Sequence, residues 1–282
     1  MARYRTSWTE DKIARYVKEG RGSGEGNAYK PWLTVQDVPS MGRVTRLPGW
    51  KTNRLHHLLS DNETRYFYLA NFADNVIDIR EQYPLPREDT MEIAERLNIR
   101  HPVDLMTKVN IPLTTDFLLT IRQDDKTIYI ARTIKPKKEL EKKRVIEKFD
   151  IEQQYWKSKE INWGIVTDED IPKVVAENIQ WIHSAYWLEG LPDFSEQDLA
   201  DMLNVICDRL SNSKDNVASF CSEMDEEFRV INGTFLFLFK HLLAKKIVRT
   251  NWDIPITPRD SISRFEFMGQ SIYEAKERKA IC

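Results

Sequence analysis

Thr114-Thr115-Asp116-Phe117-Leu118-Leu119-Thr120-Ile121-Arg122, then Gln123-Asp124-Asp125-Lys126, then Thr127-Ile128-Tyr129-Ile130-Ala131-Arg132-Thr133-Ile134-Lys135 is the stretch that decides the fold. Two runs rich in β-branched and aliphatic residues flank an Asp-Asp pair suited to a tight turn, which predicts a β-hairpin. With Asp124-Asp125 as the turn, Phe117, Leu119 and Ile121 fall opposite Arg132, Ile130 and Ile128, an almost wholly apolar face. Asp116 then lies across from Thr133 on the other face, with Lys135 two residues further along. A slip of one residue would drive Asp116 into the apolar layer, so the pattern itself favours this register. The hairpin is expected to turn its aliphatic side chains inward and to gather carboxylate, hydroxyl and ammonium on its opposite side.

Working outward, Ser60-Asp61-Asn62-Glu63 forms a capping box that opens a helix through about Phe72. Glu63 has a bland role there as a cap, but an acid in the first turn also sits near the positive end of the helix dipole. That position keeps it ionised and able to bind a cation. Val76 to Tyr83 reads as a strand ended by Pro84, and a short helix is expected near Thr90 to Leu97. Beyond Lys135-Pro136 comes a long charged helix, roughly Lys138 to Lys157, and then a strand over Asn162 to Thr167. Helix, strand, hairpin, helix, strand is the order of an α/β fold with a mixed sheet flanked by helices.

Toward the N-terminus, Ser7-Trp8-Thr9-Glu10 predicts another capped helix, with Ile13, Tyr16 and Val17 on its buried side. The glycine alternation Gly20, Gly22, Gly24, Gly26 follows a helix rather than a strand, so it has neither phosphate-loop context and reads as a plain flexible connection. Arg43, Arg46, Lys51 and Arg54 lie in a segment free of acids, interleaved with Trp50, His56 and His57. Two readings fit it, a phosphate-contacting DNA surface or a solvated loop.

After a second helix over about Lys173 to Tyr186, Gly190-Leu191-Pro192 marks a break in character. Helices are expected from Ser195 to Leu210, from Val217 to Phe228 and from Thr234, followed by a short strand at Ile247–Thr250 and a wing-like Pro255–Pro258 stretch. This order predicts a winged helix-turn-helix module whose reading helix carries Lys240, His241, Lys245 and Lys246. Such modules bind proteins nearly as readily as DNA. The expected domains are residues 1–190 and 191–282.

Bulk properties agree with a globular protein of two domains. The chain has 282 residues, 41% of them hydrophobic and 30% charged, which supports a substantial core. No apolar run approaches the roughly 20 residues of a membrane span, and the start lacks a secretory signal. Three cysteines without CxxC spacing and five scattered histidines exclude a zinc pattern and suggest a reducing, cytoplasmic setting. The net charge of -2 says little, because DNA affinity depends on where basic residues cluster.

Two carboxylates and a lysine in this arrangement suit a Mg²⁺-dependent nuclease. Phosphodiester hydrolysis needs a hydroxide-like nucleophile and stabilisation of charge on the phosphorus, both of which Mg²⁺ on one or two carboxylates provides. Glu63 and Asp116 are the candidate ligands, with the Ile134 carbonyl as a further oxygen. Lys135 is the candidate to orient or deprotonate water, or to offset charge near the phosphate. The competing reading is a surface cross-strand ion pair between Asp116 and Lys135, worth under about 1 kcal/mol.

At these residues the chain resembles the TnsA family, the endonuclease subunit of heteromeric cut-and-paste bacterial transposases. The likeness runs through Ala14-Arg15, Lys18 to Gly22, Tyr29 to Gln36, His56 to Asp61, Asp78 to Gln82, Thr115 to Leu118, Lys135-Pro136 and Glu177-Asn178-Ile179-x-Trp181. It implies a restriction-endonuclease-like core with Glu63, Asp116 and Lys135 as its active site, Mg²⁺ dependence, and cleavage of double-stranded DNA at the 5′ ends of a transposon. It also implies a TnsB-like DDE transposase that cuts the 3′ ends, and docking of the C-terminal module on a TnsC-like AAA+ ATPase and on DNA, in a bacterial cytoplasm. Members of the family often carry Gln two residues before the lysine, where this chain has Thr133. With that shorter hydroxyl, Glu147 or Glu152 on the following helix becomes a candidate to supplement the site. The alternatives are a stand-alone restriction- or repair-type nuclease and a DNA-binding assembly adaptor without activity, for which Thr133 is the clue.

Overall fold

The computed structural model describes residues 7–38, 43–210 and 213–267. The chain divides into two compact units, 1–171 and 172–282. The boundary lies before the expected break at Gly190, because the helix over Lys173–Ile182 packs with the C-terminal helices.

In the first unit, β1 (Thr45–Pro48) and β2 (Leu55–Leu58) form a small antiparallel hairpin. A four-stranded sheet follows, made of β3 (Val76–Pro84), β4 (Thr114–Gln123), β5 (Lys126–Ile134) and β6 (Asn162–Val166) in that order. The first three strands are antiparallel and β6 runs parallel to β5. Around the sheet lie α1 (Glu10–Lys18), α2 (Asp61–Phe72), α3 (Arg87–Arg96) and α4 (Lys143–Ser158). One face packs Ile79, Phe117, Leu119 and Ile134 with Leu58 and with Phe67 and Ala70 of α2. The other packs Leu118 and Ala131 with Ile93 of α3 and Ile151 and Trp156 of α4. This is a mixed sheet covered by helices on both sides, as a restriction-endonuclease-like core requires.

The hairpin register is as expected: Phe117 pairs with Arg132, Leu119 with Ile130 and Ile121 with Ile128. Two features differ. Both faces of the hairpin are buried rather than one, because α3 and α4 cover the side expected to be polar. The β4–β5 ladder also stops at Phe117–Arg132, so Asp116 and Thr133 are not ladder partners.

The reason is a break in strand alternation. Ile79 and Phe117 face α2, so alternation would aim Tyr83 and Thr115 at α2 as well. Tyr83 instead packs on the α3–α4 side, and the Thr115 hydroxyl reaches Glu152 on α4. Both strands therefore change face at one level, between Glu81–Phe117 and Tyr83–Thr115, where Gln82 and Asp116 sit. Gln82 has a left-handed φ of 50°. That conformation costs a residue of this type on the order of 1–3 kcal/mol and collects at functional sites.

The N-terminal helix α1 begins two residues later than expected. Thr9 is its N-cap and accepts the Lys12 N–H; Tyr16 is fully buried while Val17 is exposed. Gly20 to Gly26 is a built turn rather than a loose connection. Its backbone is tied by Gly22 N–H to the Lys30 carbonyl and by Gly26 N–H to Asp78 on β3. Gly22 has a φ of 75°, and a Cβ there would lie 2.1 Å from the Pro84 ring, beside the alternation break. Arg43 to His57 was expected to be a loop, yet it holds the β1–β2 hairpin.

The second unit contains α5 (Lys173–Ile182), α6 (Glu196–Leu210), α7 (Val217–Phe228) and α8 (Thr234–Ala244). A short antiparallel ribbon pairs β7 (Val248–Arg249) with β8 (Glu266–Phe267). Leu238, Phe239 and Leu242 of α8 are fully buried at its centre. Cys207 and Cys221 are buried free thiols, and Cys282 lies outside the described residues. Among the described residues no helix is long and apolar enough to cross a membrane.

Gly22→Ala is expected to lower the stability of the first unit by about 2 kcal/mol, from positive φ and the clash with Pro84 combined. The denaturation midpoint of that unit measures this, and an unchanged midpoint would contradict the packing described.

Candidate active site

Glu63 enters the site through the capping box of α2. Ser60 Oγ accepts the Glu63 N–H and donates in turn to Glu63 Oε1 at 2.9 Å. The second carboxylate oxygen accepts the Leu59 N–H at 2.9 Å. These bonds fix the side chain in a place where it is 7% exposed.

Asp116 enters from the alternation break in β4. Its Oδ2 accepts the Ile134 N–H at 2.6 Å, replacing the main-chain partner that a continuing ladder would have supplied. The next N–H, that of Lys135, donates to Val166 on the other side of β5. A strand residue turns its N–H and C=O to the same side, so the Ile134 carbonyl shares the side of Asp116.

One side chain joins the two acids. Gln82 Nε2 lies 3.3 Å from Glu63 Oε2 and 3.3 Å from Asp116 Oδ1. The two carboxylate oxygens are thus no farther apart than two such bonds laid end to end. Removal from water pushes the Glu63 carboxyl above its usual range, and the neighbouring Asp116 charge adds to the effect. Loss of solvent raises Asp116 too, against the Ile134 N–H, the Lys135 charge and the Gln82 amide, which favour its ionised form. Lys135 is half-buried at the end of β5.

Glu152, named from the sequence as a supplementary candidate, lies 5% exposed behind the pair. Its Oε1 accepts from Thr115 Oγ1 at 2.6 Å, from Thr133 Oγ1 at 2.5 Å and from Trp163 Nε1 at 3.1 Å. Trp156 Nε1 in turn donates to Thr115 Oγ1 at 2.7 Å. Thr133 therefore commits its hydroxyl to Glu152. Burial pushes the Glu152 carboxyl up to about 7, with its hydrogen bonds opposing and the Asp116 charge assisting. Glu147 is ion-paired with Arg144 at 2.8 Å.

The expected basic surface is divided by the structure. Arg43 and Arg46 are exposed and Lys51 is half-buried. Arg54 and His56 are interior groups that converge on the fully buried Glu81. Burial lowers His56 against the pull of Glu81; its Nδ1 donates to the Glu81 carboxylate, and its Nε2 shares a hydrogen bond with the Thr52 hydroxyl. The Glu81 carboxyl, which burial alone would raise, is held well below its usual range by His56 and Arg54. The His57 backbone N–H also donates to Glu81. This network ties β2 to β3 one residue from Gln82. In the second unit, Lys240 lies 4.3 Å over the Trp181 ring and Lys245 lies 4.2 Å over Tyr186. His241 is buried and donates to the Ala185 carbonyl, and Lys246 adopts a left-handed φ of 58° just past α8. The basic stripe of α8 is thus largely packed within its own unit.

Sequence reasoning quoted Glu81 and Gln82 inside a motif but gave them no role. Their signal was polar residues in the middle of a strand that should be apolar on both faces.

The residues fit a hard divalent cation. Two carboxylates raised by loss of water, Glu63 further by the Asp116 charge, would be relieved by a shared positive charge. Among the described residues no three His, Cys, Asp or Glu side chains converge on one point. Glu63 and Asp116 would therefore be the anionic donors, and neutral oxygens would complete the shell. Mg²⁺ tolerates this, since it keeps several waters and needs only one or two carboxylates.

A folded pKa raised above the unfolded one contributes stability that is full below the unfolded value and lost as pH rises through the folded value. Glu152 moves from 4.5 to about 7. The metal-free protein is therefore expected to lose stability between about pH 4.5 and pH 7, and Glu152→Gln to remove about 3 kcal/mol of that loss. Melting curves across this range test it, and parallel profiles for the two proteins would contradict it.

Known proteins resemble this chain over most of its length. The family described as TnsA-like endonuclease N terminal matches residues 73–168, and that described as TnsA endonuclease C terminal matches residues 170–252. The Transposon Tn7 transposition protein TnsA of Escherichia coli is 38% identical over 251 residues, which span 89% of this chain and 89% of that protein. With similarity of that depth across both units, the chain belongs to the TnsA endonuclease family.

Proposed function

We propose that this endonuclease is Mg²⁺-dependent and cleaves the 5′ ends of a transposon in double-stranded DNA, with Glu63, Asp116 and Lys135 as its catalytic residues. The observation that carries this reading is the convergence of Glu63 from α2 and Asp116 from β4 on the single amide of Gln82. Glu63, Asp116 and the Ile134 carbonyl would hold the ion. A divalent cation bound there supplies Lewis-acid stabilisation of charge on the phosphate and lowers the pKa of a water. Lys135, close enough to Asp116 for its charge to act on it, holds the attacking water or offsets charge on the scissile phosphate. Glu152 braces both strands through Thr115 and Thr133, which leaves no need for ligation by residue 133. That bracing removes the main argument for an inactive adaptor.

Arg43 and Arg46, exposed on and beside the β1–β2 hairpin, are the DNA contacts that this reading retains. The second unit, with α6, α7, α8 and the β7–β8 ribbon, has the makeup of a winged helix-turn-helix module. Because Lys240 and Lys245 cover aromatic rings of their own unit, docking on a TnsC-like AAA+ ATPase suits it better than base reading by α8. A TnsB-like DDE transposase would cut the complementary 3′ ends, in keeping with the name of the relative as a transposition protein.

Glu63→Gln, Asp116→Asn and Lys135→Ala are each expected to reduce 5′-strand cleavage in a reconstituted excision reaction at least about a hundredfold, with 3′ cleavage by the partner retained. Mapping of strand breaks with and without Mg²⁺ decides this, and undiminished 5′ cleavage would refute the assignment. Truncation after Ile171, at the boundary of the compact units, is expected to leave a folded core that no longer retains the ATPase in a pull-down; retained binding would remove the docking role.

A further inference from the structure

Gln82 is the least explained residue of the site. It is 2% exposed, its backbone is left-handed, and its amide makes three hydrogen bonds. Nε2 donates to Glu63 and to Asp116, Oε1 accepts from Thr114 Oγ1 at 3.3 Å, and the main-chain carbonyl accepts the Trp32 N–H at 3.2 Å. A residue needed only to fill space would not hold an unfavourable φ in the middle of a strand. The left-handed turn is what brings a side chain of β3 into the gap between two acids that belong to α2 and β4.

Resting on the reading of Glu63 and Asp116 as ion ligands, we infer that Gln82 is the positioning residue of the pair. Its N–H groups hold the two carboxylates at ligand spacing before the ion arrives, and its carbonyl oxygen turns to the ion afterwards. The chemistry of the amide permits both states. An –NH₂ group between two carboxylates offsets their repulsion, whereas the same group would face a bound cation with like polarity. Half a turn about χ3 exchanges the two ends: Oε1 then faces the cation, and Nε2 donates to Thr114 Oγ1, which changes from donor to acceptor. Such an oxygen suits the donor set, in which two carboxylates converge and neutral oxygens, waters among them, would complete the shell.

Calorimetric titration of the full chain with Mg²⁺ and with Mn²⁺, without DNA, tests the inference, with melting temperatures of each metal-free variant measured separately. Gln82→Leu removes the polar amide. Gln82→Asn keeps a residue that tolerates left-handed backbone but is one methylene short. Both are expected to weaken ion binding at least tenfold, and the Asn variant keeps the test valid if the Leu variant does not fold. Gln82→Glu is expected to tighten ion binding while lowering the metal-free melting temperature, because three carboxylates then repel. A purely structural role would lower melting temperatures and leave the dissociation constants unchanged. Parental affinity in the Leu and Asn variants, with binding lost in Glu63→Gln, would overturn the role of Gln82 alone. Absence of ion binding in the parent chain would overturn the ion site and this inference together.

Discussion

Two carboxylates that repel one another are held within reach of a single amide, and the rest of the first unit serves that constraint. Loss of water raises both Glu63 and Asp116 above the ordinary carboxylate range, and the Asp116 charge raises Glu63 further. Such a pair persists only because each acid is fixed from its own element. Ser60 and Leu59 hold Glu63 at the start of α2, and the Ile134 N–H holds Asp116 at the edge of β5. Anchors on separate elements mean that neither acid can relax away without disturbing a helix cap or a strand end. The stored repulsion is the property that a bound cation would relieve.

The sheet accommodates this by giving up its regularity at one level. Gln82 and Asp116 face each other across β3 and β4, and both strands change face there. On one side of the break the sheet is packed against α2, and on the other Thr115 and Thr133 are braced by Glu152 of α4. The Glu81 network with Arg54 and His56 adjoins the break and is complete: a buried anion, a guanidinium and an imidazole with each polar atom engaged. Removing one member of so buried a pair costs about 3–5 kcal/mol, because the other is left uncompensated. A rigid surround of this kind is what lets a strained Gln82 backbone survive.

Basic residues illustrate how composition misleads. Six basic or ionisable side chains between Arg43 and His57 look alike on paper, yet two, Arg54 and His56, build the interior and only Arg43 and Arg46 are exposed. The same holds for α8, whose lysines lie over aromatic rings of their own unit. A charge contributes to DNA affinity only where it can reach a phosphate, and burial decides that.

The hairpin register, the caps and the sequence of elements were legible in the chain because each depends on neighbours or on a period of two. Asp124-Asp125 set the pairing of Phe117 with Arg132, and Ser60 and Glu63 announced the start of α2. The places of Glu63 in the first turn of α2 and of Asp116 in β4 were legible on the same grounds. What the sequence could not yield was the exchange of faces at Gln82 and Asp116, the pairing of Thr133 with Glu152, or the division of Arg54 and His56 from Arg43 and Arg46. Periodicity assigns a side chain to a face only while the backbone is regular. Where one left-handed residue interrupts it, partners far apart along the chain decide where each side chain goes, and only the assembled tertiary structure holds them in place.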